Sequence, residues 1–270
     1  MERYSLLIPM YRSARFINNL RAVIDSHLPS RCEILLSDQH CLDNTIYTLQ
    51  AEYENNPQVR FFSSSDAINW VENINFLITQ SQTNFFRIAP HDDYTSAAQS
   101  ERLLALLLKN KDAVLATGPV FHEYLDEDKT SFITHAKLDR EDELSTIKFF
   151  NSLGLFNGAF KGMARKSTID NHQLFIKPTA TTINSERLWL NALRIAGPFL
   201  YSKEIMLTKR LYKESTHRQW RHTKEVALDD ATTMERYISQ LVDDPAIRRE
   251  LTEHFWQHAY ALYLKRSASE

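Results

Sequence analysis

Four aspartates stand where apolar runs of strand length give way to polar residues. The stretch "EILLSDQHCLDNT" stops its run at Asp38 and meets Asp43 before helical periodicity begins, and "FFRIAPHDDYTSA" ends in Asp92 and Asp93. Carboxylates at the mouths of strands can hold a hard cation, accept a hydrogen bond from a ligand, or cap the helix that follows. A cation such as Mg²⁺ takes one or two carboxylates and fills its remaining positions with phosphate oxygens and water, so this chemistry suits a phosphorylated ligand.

The elements that must position these acids follow from the apolar periodicity. Strand-length runs fall at Tyr4 to Pro9, Cys32 to Ser37, Gln58 to Phe62, Asn84 to Pro90 and Asp112 to Thr117. Segments of helical period separate them. Leu42, Ile46, Leu49 and Tyr53 recur at helical spacing, and Ile68, Val71, Ile74, Leu77 and Ile78 make a core stripe. Ser96 with Gln99 reads as a capping box, which leaves "PHDDY" in a loop between strand and helix. Alternating strands and helices predict an α/β fold, a mainly parallel sheet flanked by helices. In such sheets ligands bind beyond the carboxyl ends of the strands, so Asp38, Asp43, Asp92 and Asp93 are expected to face one crevice.

Composition removes several classes. A chain of 270 residues with 43% hydrophobic and 24% charged side chains can bury a sizeable core. A net charge of −2 lacks the electrostatic footprint of a nucleic-acid binder. The first glycine is Gly118, so no glycine-rich turn lets the backbone close on phosphate in the N-terminal half, which argues against a dinucleotide fold or a P-loop. Cys32 and Cys41 are the only cysteines and are expected to be free thiols. The apolar run in "MERYSLLIPMYRS" is too short for a signal peptide or a span, so a cytoplasmic location is the expectation.

After residue 118 the alternation weakens. An acidic stretch from Glu123 to Glu143, a small-residue segment "NGAFKGMARKS" and a helix "SERLWLNALRIAG" closed by Gly197 follow. From about Lys224 two further amphipathic patterns, "ATTMERYISQLV" and "RRELTEHFWQHAYALYL", could cover the sheet or dock a partner. Between Tyr201 and Lys224 the chain carries an excess of five positive charges. A solvated basic face and attraction to anionic lipid head groups explain that run equally well, and the second would make the chain peripheral to a membrane. His254 and His258 lie one helical turn apart without an evident third metal ligand and are expected at the surface.

Taken in order, "YSLLIPMYRSARFI", "EILLSDQHCLDNT", "NWVENINFLI", "FFRIAPHDDYTSA", "NGAFKGMARKS" and "SERLWLNALRIAGPFLY" resemble the family 2 nucleotide-sugar glycosyltransferases of the GT-A fold, over roughly residues 4 to 217. The resemblance implies a transferase domain over residues 1–224, with a nucleotide-binding half over 1–117 and an acceptor half over 118–224, and a helical extension over 225–270. It implies an inverting, metal-dependent transfer of a sugar to a hydroxyl of a glycan or lipid-linked acceptor, in polysaccharide or lipid-linked glycan assembly. Pro9, Met10 and Tyr11 would wrap the nucleoside, and Asp38 would accept a hydrogen bond from the base. A carboxylate suits uracil or thymine, whose N3 carries a proton, so UDP or dTDP sugars are favoured.

The same likeness gives Asn73 a place near the nucleotide and makes Asp43 a helix cap. The family usually shows Asp-x-Asp-Asp where Pro90, His91, Asp92 and Asp93 stand here. Asp92 is then the ligand of Mg²⁺ or Mn²⁺, Asp93 supports it or holds the ribose, and His91 contacts the diphosphate. Glu186 is the base that takes the acceptor's proton, with Asp170 a distant second, and His217, Arg218 and Arg221 clamp the diphosphate. Pro90 in place of an acid, and Arg187 beside Glu186, leave open a GT-A-like subunit that binds nucleotide without turnover. The acids could instead merely favour a helix start, and "HD" could belong to a phosphohydrolase, although that needs further ligands on helices. A phosphate-signalling or phosphohydrolase module of flavodoxin-like topology is a weaker alternative, because the first strand ends without a carboxylate.

Overall fold

The computed structural model describes residues 2–38, 43–63, 68–127, 129–133, 142–152, 156–179, 181–182, 184–213 and 223–267. Its strands are β1 (Tyr4–Met10), β2 (Cys32–Asp38), β3 (Val59–Ser63), β4 (Phe85–Ile88), β5 (Leu115–Thr117), β6 (Val120–Tyr124), β7 (Lys129–Ile133), β8 (Met163–Arg165), β9 (Phe199–Tyr201) and β10 (Leu207–Leu211). The helices are α1 (Ile17–His27), α2 (Thr45–Tyr53), α3 (Trp70–Gln80), α4 (Ala97–Lys109), α5 (Glu143–Ser152), α6 (Phe156–Phe160), α7 (Lys166–His172), α8 (Ser185–Ala196), α9 (Lys224–Leu241) and α10 (Pro245–Ser267).

The central sheet runs β3-β2-β1-β4-β8-β5-β9, and β10-β6-β7 form a second, smaller sheet. β3, β2, β1 and β4 are mutually parallel, as the alternation of strands and helices predicts. β8 is the exception, inserted antiparallel between β4 and β5. Its three residues are too few to show a period, so "GMARKS" reads in sequence only as a small-residue segment.

β1 and β2 are buried along nearly their whole length because helices cover both faces. Tyr4, Leu6, Ile8 and Met10 point to one side, against Leu20 and Ile24 of α1 and Leu103 and Leu107 of α4. Leu7 and Leu35 point to the other, against Val71, Ile74 and Ile78 of α3 and Leu188 and Trp189 of α8. Met234, Tyr237 and Ile238 of α9 and Leu251 and Phe255 of α10 join that second core, so the C-terminal helices cover the domain. No helix among the described residues is long and apolar enough to cross a membrane.

The helix starts are chemically explicit. The Ser96 hydroxyl accepts from the Gln99 amide while Gln99 Oε1 accepts from the Ser96 amide, the capping box expected from sequence. Asn69 and Glu72 make a second box at α3, which the sequence reading did not single out. Gly197 closes α8 as expected, in an extended conformation at φ 169° with its amide donating to the Leu193 carbonyl. Space also favours glycine there, since a Cβ would lie 2.6 Å from Cγ1 of Val114.

Candidate functional site

The acidic loop after β4 is braced from three directions. Asn19 of α1 donates from Nδ2 to the carbonyls of His91 at 2.9 Å and Asp93 at 2.8 Å. Tyr94 exchanges backbone hydrogen bonds with Thr208 of β10. The His91 ring packs on Phe16 with centroids 5.4 Å apart, and Tyr212, against the same Phe16, donates its hydroxyl to Asp92 Oδ2 at 3.1 Å.

Asp92 and Asp93 consequently have different fates. Asp93 is buried and ion-pairs with Lys161, while its Oδ1 accepts the Arg210 amide at 3.1 Å. Burial opposes the Lys161 charge, but the attraction of Asp93, joined by Asp92, holds the ammonium above its ordinary pKa. Lys161 sits at a tight passage, since a Cβ on the next residue, Gly162, would lie 2.5 Å from the Ala116 carbonyl oxygen and 2.9 Å from that of Ala159. Fully buried Arg87 fixes the backbone on both sides of the site. It donates to the Lys161 carbonyl at 2.9 Å, the Ser100 hydroxyl at 2.9 Å and the Met206 carbonyl at 2.5 Å.

Glu186 lies in the first turn of α8, within electrostatic reach of Lys161 and Lys209. Asp92 and Asp93 act on the same two lysines. The fold thereby brings the acidic loop and the candidate base to one cluster from segments distant in sequence. The turn carrying Glu186 is held on either side: Asn184 donates to Asp230 Oδ2 at 2.6 Å, and Arg187 approaches the same carboxylate at 3.8 Å. Arg187 thus faces α9 and, through a 3.4 Å contact with His258, α10.

Asp38 closes β2, in register with Met10 on β1 and Ser63 on β3. Asp38 and the acidic loop hang from the same sheet edge two strands apart, roughly 10 Å at about 4.8 Å per strand. Asn73 of α3 is fully buried and donates to the Ser37 carbonyl at 3.2 Å, so it braces the strand end that presents Asp38. β1 runs one residue further than expected: Pro9 and Met10 are strand residues and the Met10 side chain is core. Tyr11 is exposed beyond them, with the Arg12 guanidinium 5.2 Å above its ring. Asp43 does cap, one residue before the N-cap Asn44, accepting from the Thr45 amide at 3.1 Å and the Ala14 amide at 3.0 Å. Burial works against its charge, and these hydrogen bonds prevail to hold its pKa below the ordinary carboxylate value.

His217, Arg218 and Arg221 lie outside the described residues, as does Cys41. Cys32 is a free, buried thiol. Two expectations are corrected. Asp170 pairs with Lys166 on α7, which leaves the sheet from the end of β8 beside Phe85, at the start of β4 and so opposite the acidic loop; it cannot serve this crevice. His254 and His258 are half-buried rather than surface residues, facing Asn151 of α5 and Arg187 of α8, and burial with the Arg187 charge pulls His258 down to about 4. Lys161, Tyr212 and Asn19 escaped the sequence reading, because single polar residues carry no period, and Lys209 was visible there only as one charge in a basic run.

No group of three or more His, Cys, Asp or Glu side chains that could hold a metal ion occurs among the described residues. With both Asp93 oxygens engaged, the donor set reduces to Asp92. That set fits Mg²⁺ or Mn²⁺ as a cation that arrives with a diphosphate and water, taking one protein carboxylate.

No protein-family model and no curated protein matches the chain. Solved structures do. Residues 1–349 of S. aureus TarS in complex with UDP-GlcNAc superpose with a TM-score of 0.68 at 12% identity, over 99% of this chain and 73% of that one. The same segment with UDP gives 0.65 at 10% identity, over 96% and 72%. The mannosyltransferase PcManGT from Pyrobaculum calidifontis, in complex with GDP-Man and Mn²⁺, gives 0.57 at 10% identity, over 100% and 76%. At such identity the likeness is one of fold, and the fold is of the GT-A type.

Proposed function

We propose that the chain is a glycosyltransferase that moves a sugar, with inversion, from a UDP- or dTDP-linked donor to a hydroxyl of a glycan or lipid-linked acceptor. The observation that carries the reading is the meeting of Asp92 and Glu186 on a shared pair of lysines, at the sheet edge that also presents Asp38. The superposition on structures holding UDP-GlcNAc, UDP and GDP-Man supports a nucleotide-sugar donor.

In this reading Asp38 accepts a hydrogen bond from the N3–H of the base, Asn73 holds the strand end beneath it, and Tyr11 covers the nucleoside. Asp92 would hold Mg²⁺ or Mn²⁺, which supplies positive charge to the diphosphate when bound. Asp93, occupied by Lys161 and the Arg210 amide, keeps the loop in shape. The acceptor oxygen attacks the anomeric carbon from the face opposite the diphosphate as its proton passes to the Glu186 carboxylate. The bond from the anomeric carbon to the phosphate oxygen breaks with its electron pair, and nucleoside diphosphate leaves. Polysaccharide or lipid-linked glycan assembly is the setting we favour, at the cytoplasmic face of a membrane.

The test is UDP release from UDP-sugars together with thermal shift. UDP with Mn²⁺ should raise the melting temperature, Asp92→Ala should remove the metal-dependent part of that rise, and Glu186→Gln should abolish release while leaving UDP bound. Binding of UDP with no release across a panel of donors and acceptors would instead favour a nucleotide-binding subunit without turnover.

A further inference from the structure

Near the acidic loop, Lys209 and His122 are polar groups whose side chains have no hydrogen-bond partner at the ammonium and at Nε2 among the described residues. They stand in register on neighbouring strands, β10 and β6. Lys161, the other lysine here, is taken by Asp93. The Lys209 side chain makes no hydrogen bond or ion pair among the described residues, although it is largely enclosed and lies within electrostatic reach of Asp93, Glu186, Asp92 and Lys161. His122 is only 8% exposed, and its Nε2 has no hydrogen-bond partner among the described residues. Buried polar atoms are normally hydrogen-bonded, so His122 Nε2, beside a lysine whose ammonium has no partner among the described residues, is suited to meet a ligand. The electrostatics agree. Burial first, then the Lys161 charge, draws the Lys209 ammonium down to about 8, and burial followed by both lysines depresses His122.

The ligand's chemistry follows from its neighbours. Asp92 and Glu186 are both within electrostatic reach of Lys209, and in the proposed reaction the charged group handled near a cation ligand and a general base is the departing diphosphate. Asp92 offers a metal one carboxylate, so a cation there leaves part of the diphosphate charge unmatched. Lysine is well suited to that remainder, being a point charge with three donors.

We propose that Lys209, backed by His122, is a diphosphate-binding residue of the donor site, so that nucleoside diphosphate binds without a divalent cation and a cation adds to that binding rather than creating it. The inference rests on the proposed transferase reading and deepens it.

Titration calorimetry with uridine, UMP and UDP, each in EDTA and in Mn²⁺, separates the two. The wild-type protein is expected to bind UDP in EDTA more tightly than UMP or uridine. Lys209→Met should weaken UDP in EDTA at least tenfold and uridine less than twofold, His122→Phe should weaken UDP by a smaller factor, and Lys209→Arg should recover part of the loss. Inorganic pyrophosphate should compete with UDP in the wild type and not in Lys209→Met. Should Lys209→Met unfold, Lys209→Gln carries the same comparison, with circular dichroism reporting the fold. UDP binding that requires Mn²⁺, or that is equal in wild type and Lys209→Met, overturns the inference and leaves the transferase reading standing. Failure of every uridine and guanosine nucleotide in both buffers overturns both.

Discussion

Lys161 and Asp93, 68 positions apart in sequence, close a buried ion pair that joins the turn after α6 to the acidic loop after β4. The pair settles which of the two adjacent aspartates is free for chemistry. Removing one partner leaves an uncompensated buried charge, which costs about 3–5 kcal/mol. Asp93→Asn should therefore lower unfolding stability by roughly that amount in urea titrations, and Asp93→Asn with Lys161→Met should recover most of it. Additive losses in the double variant would mean that the pair contributes nothing of its own.

Gly162 sets the position of Lys161. An added Cβ would meet two backbone carbonyl oxygens, Ala116 at 2.5 Å and Ala159 at 2.9 Å, and neither can swing aside as a side chain would. Gly162→Ala is expected to cost about 1–3 kcal/mol by overpacking and to displace the Lys161 turn. UDP affinity should fall with it, by more than Gly197→Ala produces at a site far from the crevice where the nearest atom is a Val114 methyl. Equal affinities in the two variants would detach the turn from ligand binding.

Asp230 gives the turn that carries Glu186 a pH dependence. Burial pushes its carboxyl up to about 6 against the opposing pull of Arg187 and Asn184, while in the unfolded chain it titrates near 3.8. Between those values the native state holds a proton that the unfolded chain has released, so stability falls as pH rises from about 4 to about 6. The loss approaches roughly 3 kcal/mol at neutral pH, at about 1.4 kcal/mol per unit. Asn at this position still accepts from Asn184 and has no charge to bury. Relative to wild type, Asp230→Asn should gain about 2 kcal/mol between pH 4 and pH 7 in urea unfolding. Parallel curves would show that Asp230 is ionised throughout.

The fold was legible where burial repeats. β1 and β2 announce themselves because residues covered on both faces make nearly unbroken apolar runs, α3 by its apolar stripe, and α4 because Ser96 and Gln99 mark a helix start by hydrogen-bonding type. The second half was less legible, since β8 spans three residues and its insertion between β4 and β5 depends on contacts from remote segments. The site divides similarly. Asp38 and Asp92 stand at strand ends, where chain position implies spatial position. Lys161, Tyr212 and Asn19 act through partners 68, 120 and 74 positions away, and such pairings have no local signal. Asp170 misled because a helix following an antiparallel strand starts at the wrong end of the sheet.

Asp38 makes a prediction about base choice that depends on hydrogen-bond direction alone. Uracil and thymine present an N3 proton to a carboxylate, whereas cytosine presents a lone pair, which a carboxylate repels. Hydrogen bonds to charged groups contribute about 1.5–3 kcal/mol, roughly 10- to 100-fold in affinity. The wild-type protein should bind UDP and dTDP over CDP by a factor in that range, measured by competition in one buffer. Asp38→Ala should collapse the preference mainly by weakening UDP, because the acceptor is lost while the repulsion of cytosine is relieved. Asp38→Asn, which can turn either its carbonyl or its amide to the ring, should bind UDP and CDP within a few-fold of each other. A preference for UDP that survives both substitutions would assign base recognition to the backbone around Met10 and Ser63, the two residues in register with Asp38.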